Sequence, residues 1–300
     1  MTNSKLENLE AIALIVLVMS NKIILNLQKT IISNVGSSSW INAIYVSILT
    51  TLIVLLTIRL FKNFPNSDIL DVSKYLGGKL LKTLVAIFYI ISFLLITVLI
   101  VRSFSESIKI VYFDNLTLPI VILFFVVSAC IANLFGLKVI SKSNLIVAPL
   151  VLLTVVLILL ASIQNFIPQR LFPILGHGIK ETFLDGSSNV FLFTILAYIY
   201  LLPPLLKEKK SYKNVAIIST SISAIYLIIN IICLQLVFPF IYDTQEHLSI
   251  YLLVRMSRLR RCSTKIYFCI LFCMDVISTM LLELVYVLCN PCYSKTHSFI

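Results

Sequence analysis

Long, uninterrupted apolar runs separated by short polar or Pro/Gly-rich stretches pattern the whole chain. The runs do not alternate, so they predict helices rather than barrel strands. A membrane-crossing helix needs roughly 20 predominantly apolar residues. Spans of about that length are predicted over Ala11–Ile32, Ile41–Leu60, Leu84–Val101, Leu118–Leu134, Leu145–Ile163, Val190–Leu206, Val215–Ile241 and Ile266–Leu288. Residues 1–256 form one transmembrane unit, and 257–300 form a tail with the last span. Two connectors carry more than a turn. Phe166–Ser188 holds Pro168, Pro173, Gly176, Gly178 and Gly186, too many breakers for a long helix. It is predicted to cap one face with a short helix near Ile179–Leu184. Thr244–Met256 suits a second short helix on the same face.

Two spans contain polar gaps. In the first, Ser20-Asn21-Lys22 is followed by Asn26, Gln28 and Lys29. Polar groups in a membrane helix are costly and usually face a cavity or a partner helix. The gap is either an unwound mid-membrane segment that can hold a ligand, or the end of a shorter helix whose lysines reach to the surface. The sixth span opens with Gly186-Ser187-Ser188-Asn189 and closes at Pro203-Pro204. The prolines either end a helix or mark a second discontinuous one. Interrupted spans in corresponding positions of two halves point to a transporter-type site, and spans one and six correspond if the core is two five-helix repeats.

Composition removes the soluble alternative. The 300 residues are 59% hydrophobic and 12% charged, with a mean hydropathy of +1.03. Soluble domains carry about 25% charged residues. The net charge of +11 sits mainly between apolar runs, where it sets topology and meets anionic lipid, not nucleic acid. Lys5, Arg59, Lys62, Lys74, Lys79, Lys82, Lys138, Lys142, Lys207, Lys209, Lys210 and Lys213 all fall on one side if the N-terminus is cytoplasmic, which orients the chain. The cluster Arg255, Arg258, Arg260, Arg261 and Lys265 falls on the other side. The first apolar run is read as a retained helix, because no small-residue cleavage site follows it.

Enzyme chemistry is not indicated. The chain has no phosphate-cradling glycine motif, no zinc-binding His-Glu pattern and no convergent Ser/His/Asp set. His177 lacks a second ligand nearby, so no metal is expected, and no cofactor is implied. Arg102 and Glu106, at i and i+4, read as an interfacial pair. Asn115-Leu116-Thr117 matches a glycosylation acceptor only by chance, being too close to the next span.

Several stretches, in order, resemble the spore germination permease family, the B subunits of nutrient germinant receptors. They are Asn34-Val-Gly-Ser-Ser-Ser-Trp40-Ile-Asn; Phe64-Pro65 with Asp68-Ile-Leu-Asp71 and Tyr75-Leu-Gly-Gly78; Phe104-Ser-Glu106 with Lys109-Ile-Val-Tyr-Phe113; and Ile131-Ala-Asn133 with Gly136. There follow Phe166-Ile-Pro168-Gln-Arg170-Leu-Phe-Pro173-Ile-Leu-Gly176, Ser188-Asn189-Val-Phe191, Tyr198 through Pro203-Pro204-Leu-Leu-Lys207, and Ser249-Ile-Tyr251-Leu-Leu-Val-Arg255-Met256. The resemblance covers roughly Leu6 to Met256. It implies the fold of the amino acid–polyamine–organocation transporters: all-α and polytopic, with two inverted five-helix repeats and broken helices one and six, here truncated to about eight spans. It also implies a role in the spore inner membrane, binding a small nutrient such as an amino acid. The partners it implies are a larger membrane subunit and a lipoprotein subunit.

On that fold the ligand is expected between the two breaks. Backbone groups near Ser20–Asn21 and Phe193–Thr194 would meet its charged ends, and Phe191 and Tyr198 would line its side-chain pocket. An ion-coupled amino acid transporter, or an inactive remnant of either, are the alternatives. After Ser257 the chain departs from the family, with Arg258-Leu-Arg260-Arg261-Cys262 and most of the cysteines in the tail. Cys289-x-x-Cys292 lacks a second pair for metal or redox chemistry. A frame change near codon 257 explains both the tail and its misplaced basic cluster.

Overall fold

The computed structural model describes residues 5–64, 67–112, 116–135, 137–176, 178–193, 199–208 and 211–238. The predicted eighth span, the Thr244–Met256 helix and the Cys289/Cys292 pair lie outside them.

The described backbone is helical, with one isolated bridge between Leu6 and Leu206. Helix α1 (Asn8–Lys22) passes into a π-helical turn (Ile23–Leu27) and then α2 (Gln28–Val35). Its first turn is closed by a reciprocal Glu7/Glu10 capping box. Gly36, with φ 68°, ends α2 and turns the chain through a 3-10 turn into α3 (Ser39–Asn63). The left-handed φ requires a residue without a Cβ. Then come α4 (Ile69–Tyr112), kinked at Gly77–Gly78, α5 (Leu118–Phe135) and α6 (Leu137–Ser162). The cap contains short 3-10 turns and α7 (Ile179–Phe183). The sixth segment begins as a 3-10 helix (Asp185–Leu192) and ends in a 3-10 turn at Pro203–Leu205, before α8 (Tyr212–Val237).

Among the described residues, four helical stretches are long and apolar enough to cross a membrane: Gln28–Asn63, which includes the turn at Gly36, Ile69–Glu106, Lys138–Asn165 and Tyr212–Val237. Leu80, Leu84, Ile87, Phe88, Ile91, Leu95, Val98 and Leu99 make α4 an exposed apolar ridge. Water does not tolerate so large a continuous patch, whereas lipid requires one. The chain is an all-α membrane protein.

Contacts at the helix ends fix the directions. The Phe61 and Tyr212 rings meet at 5.6 Å, while Gln235 Nε2 donates to the Ser37 carbonyl at 3.0 Å. Helices α3 and α8 are therefore antiparallel. The two anchors are nearly the same number of residues apart on both helices, so positions between them are level: Ala43 with Asn230, Thr50 with Ser223, Val54 with Ser219, and Thr57 with Ala216. All eight are buried, and most are small or hydroxylic. Such stripes let membrane helices approach closely. Asn8 Nδ2 donates to Ser211 Oγ at 2.9 Å, and α1 packs along α8, so these two run parallel. Beyond α6, Ile167 N–H reaches Leu236 C=O at 3.0 Å, so α6 runs the same way. Phe104 packs on Phe125 at 5.2 Å, which makes α4 and α5 an antiparallel hairpin.

Segments one and six are likewise antiparallel. Leu6 N–H donates to Leu205 C=O at 2.8 Å, and Lys207 N–H to Leu6 C=O at 3.0 Å. At the other end Asn34 Nδ2 donates to Asn189 Oδ1 at 2.9 Å. One end of the bundle thus gathers Lys5, Arg59, Lys62, Lys207 and Lys213. The opposite end carries the cap.

The cap seats on the Gly36–Asn42 turn at close range. A Cβ on Gly186 would overlap Asn42 Nδ2 and come within 3.1 Å of Glu181 C=O. Gly186→Ala is expected to destabilise the protein by about 1–3 kcal/mol through this overpacking, read as a lower melting temperature in detergent. Ile48→Ala, on a surface 56% exposed, should melt close to the parent; equal melting of the two variants would contradict the packing described.

Candidate functional site

The first polar gap neither unwinds nor ends the helix. From Asn8 to Val35 the described backbone stays helical, and just past Lys22 five residues widen to π bonding. A π turn changes the hydrogen-bond step from i→i+4 to i→i+5, and such turns occur often at functional sites. The widening lets the chain pass a polar stretch without exposing backbone to lipid, which full unwinding would do.

Ser20 and Asn21 differ in what they offer. Ser20 Oγ donates to Val16 C=O at 2.9 Å, so its hydroxyl is satisfied within the helix. Asn21 is 1% exposed, and neither amide atom has a hydrogen-bond partner. Gln28, two turns on, is buried in the same state. An unsatisfied buried amide costs about 1–3 kcal/mol. Counting up from the Asn8–Ser211 contact, Asn21 is level with Ser223 and Ala224, and hence with Thr50. Ser223 Oγ, Thr50 Oγ1 and, one turn away, Ser47 Oγ are also buried without partners. At 1.5 Å per residue this level lies about 20 Å from the start of α1. Ser105, on the helix that packs against the π turn, adds another unpartnered hydroxyl.

The sixth segment supplies the opposite break. Gly186 and the polar residues after it favour the 3-10 helix, which stops as Phe193 turns to φ −76°, ψ 76°. Phe193 is 1% exposed, but Phe191 is 87% exposed. The Phe191 ring therefore points out of the chain and lines no enclosed pocket within it; two residues along a 3-10 turn face very different directions. Thr194 and Tyr198 lie outside the described residues. The start of the segment is held by a chain of amides. Asn34 donates to Asn189, Asn189 Nδ2 to Asn42 Oδ1 at 2.9 Å, and Asn42 Nδ2 to Thr182 C=O at 2.8 Å. Ser38 and Thr182 hydroxyls meet at 2.8 Å, and Ser37 Oγ donates to Pro173 C=O at 2.9 Å.

Sequence patterning missed Thr50, Ser47, Ser223, Asn230 and Asn144 as site candidates. Single hydroxyls and amides in apolar runs usually satisfy themselves on the preceding turn, as Thr57 and Thr220 do. Gln28 was visible in the gap but carried no sign of being buried. Among the described residues no group of His, Cys, Asp and Glu side chains could hold a metal. The arrangement offers amide and hydroxyl groups at mid-bundle, with Lys22 one residue past Asn21, able to bind a polar or zwitterionic small molecule.

These buried amides separate by role. Asn42→Leu breaks a complete chain and strands Asn189, so it should destabilise by about 1–3 kcal/mol. Asn21→Leu removes an amide with no partner at similar volume, so the ligand-free protein should melt at or above the parent temperature. Detergent melting curves of the two variants check the contrast.

The comparisons point one way. A family model described as spore germination protein, a permease family, matches residues 5–259. The protein is similar to the spore germination protein YndE of Bacillus subtilis (strain 168), with 22% identity over 230 residues. That match covers 76% of this chain and 63% of the relative, so it spans less than two thirds of the relative's length.

Proposed function

The chain belongs to the spore germination protein family, and on that premise we propose that it is the membrane-embedded, nutrient-binding subunit of a spore germinant receptor. The family consists of permease-type membrane proteins rather than enzymes. The nutrient is an amino acid, held at mid-membrane against the π turn. Asn21 Nδ2 donates to its carboxylate, and Asn21 Oδ1 accepts from its ammonium group. The hydroxyls of Thr50 and Ser223 complete the polar contacts, and Phe193 packs nearby. One observation carries this: Asn21 is buried and keeps four hydrogen-bonding positions unused by the protein, which a bound zwitterion can take up.

The antiparallel pairing of segments one and six, and of α3 and α8, supports the inverted-repeat fold. The basic end of the bundle, with Lys5, Arg59, Lys62, Lys207 and Lys213, supports a cytoplasmic N-terminus; the cap would then face the outer side of the spore inner membrane. The receptor's larger membrane subunit and its lipoprotein subunit would receive the signal.

Spores carrying Asn21→Leu are expected to lose the response to nutrient amino acids, read as loss of refractility, while accumulating the protein normally. Ser20→Ala, whose hydroxyl is already used by Val16, should respond as the parent does. A normal response from the Asn21→Leu spores would overturn the proposal. Uptake of a labelled amino acid by the purified chain alone, driven by an ion gradient in proteoliposomes, would assign a transporter instead.

A further inference from the structure

We propose that the mid-membrane site is reached from the cap end only, through a polar half-channel between α1–α2, α3 and α8, and is sealed at the other end by an aromatic plug. The inference deepens the nutrient-binding reading and rests on it for what travels along the path: a small neutral or zwitterionic solute with its water.

The observation behind it is an asymmetry in where buried polar groups lack partners. From the level of Asn21, Thr50 and Ser223 toward the cap, unpartnered buried atoms recur at each step. Ser47 Oγ comes first, then Asn230 Oδ1 with both amide atoms of Gln28, then Gln235 Oε1 at the Gly36–Ser37 turn. Asn230 and Gln28 lie about 10 Å above Ser223 and Asn21 respectively. A ladder of such atoms inside a helical core is stable only if water or solute meets them, because a polar group out of water needs a partner.

Toward the basic end the ladder stops. Between the levels of Ser223 and Tyr212, no described residue of α1, α3 or α8 carries an unpartnered buried side-chain atom. Thr57 Oγ1 donates to Ile53 C=O, and Ser219 and Thr220 both donate to Ala216 C=O. Leu14, Leu17, Val18 and Val54 fill the remaining space and are buried. Below them Phe61 packs against Tyr212 at 5.6 Å and Tyr200 at 6.4 Å. Tyr212 Oη donates to Ile199 C=O at 3.2 Å, which ties the plug to the end of segment six. The next unpartnered atom on these helices, Oδ1 of Asn8, lies at the basic end beside Ser211; Oδ1 of Asn144 is on α6, two turns into that helix and not on α1, α3 or α8.

Single cysteines in a background with every native cysteine replaced by serine test the route. The protein is placed in sealed vesicles of one orientation and treated with a charged, membrane-impermeant methanethiosulfonate, with no nutrient present. Asn230→Cys, Ser47→Cys and Ser223→Cys are expected to react from the cap face. Thr57→Cys and Ala216→Cys should react about a hundredfold more slowly from either face, because only local opening exposes them. Labelling of Ser47→Cys or Ser223→Cys from the basic face, or equal labelling of Asn230→Cys and Thr57→Cys, overturns the half-channel. Adding Phe61→Ala should make Thr57→Cys reactive from the basic face; Thr57→Cys that stays protected there rejects the plug. The pattern is read without ligand, so it can hold even if Asn21→Leu spores germinate normally, in which case the nutrient assignment fails and the route stands.

Discussion

The amide of Asn189 holds the architecture together. It accepts from Asn34 at the end of α2 and donates to Asn42 at the start of α3, and Asn42 in turn donates to the cap at Thr182. Segment six opens as a 3-10 helix rather than an α-helix, with poorer backbone hydrogen-bond geometry, and stops at Phe193. Irregular backbone survives at membrane depth only where protein surrounds it. The amide chain clamps this segment against two regular helices in a low-dielectric interior, where each hydrogen bond is electrostatically stronger than in water. Remove the clamp, and the antiparallel pairing of segments one and six loses its cap-end anchor. The bridge between Leu6 and Leu206 would then hold the pair at one end only.

The same constraint explains the two kinds of polar residue in the helices. Ser20, Thr51, Thr57, Ser162 and Thr220 each return a hydroxyl to a carbonyl one turn back. Small residues such as Thr57 and Ser219 also let α3 and α8 close on each other. Asn21, Gln28, Thr50 and Ser223 are as deeply buried and have no such return. A sequence selected only for stability would not keep these groups unsatisfied. The common level of Asn21, Thr50 and Ser223, on α1 and α3 and on α8 against which both pack, fits a site that binds something. The π turn beside Asn21 fits the same role, since it displaces the helix wall without opening it to lipid.

Specificity follows from what the site lacks. Glu10 is the buried acid among the described residues, and it is tied into the capping box at the far end of α1. Among the described residues α1, α3 and α8 carry no acid near the level of Asn21, so a ligand with a net positive charge would lose its hydration there without gaining a counter-ion. A zwitterion brings its own compensation.

Much of this was written in the sequence. Continuous apolar runs fixed a helical membrane protein, because lipid leaves the backbone no other way to bond. The Asn34–Asn42 stretch and the glycines of the cap marked the junction that the structure builds, since only glycine fits at Gly36 and Gly186. The gap at Ser20–Lys22 was legible as a place, yet not as a π turn, because unwinding, ending and widening begin from the same polar residues. Tertiary structure decided the rest. It alone set α3 and α8 antiparallel in the register that levels Thr50 with Ser223, and parallel packing of α1 brought Asn21 to that level. It also separated Phe193, buried, from Phe191, exposed, two residues apart. Whether a buried hydroxyl or amide finds a partner depends on neighbours distant in the chain, and no local pattern in the sequence encodes them.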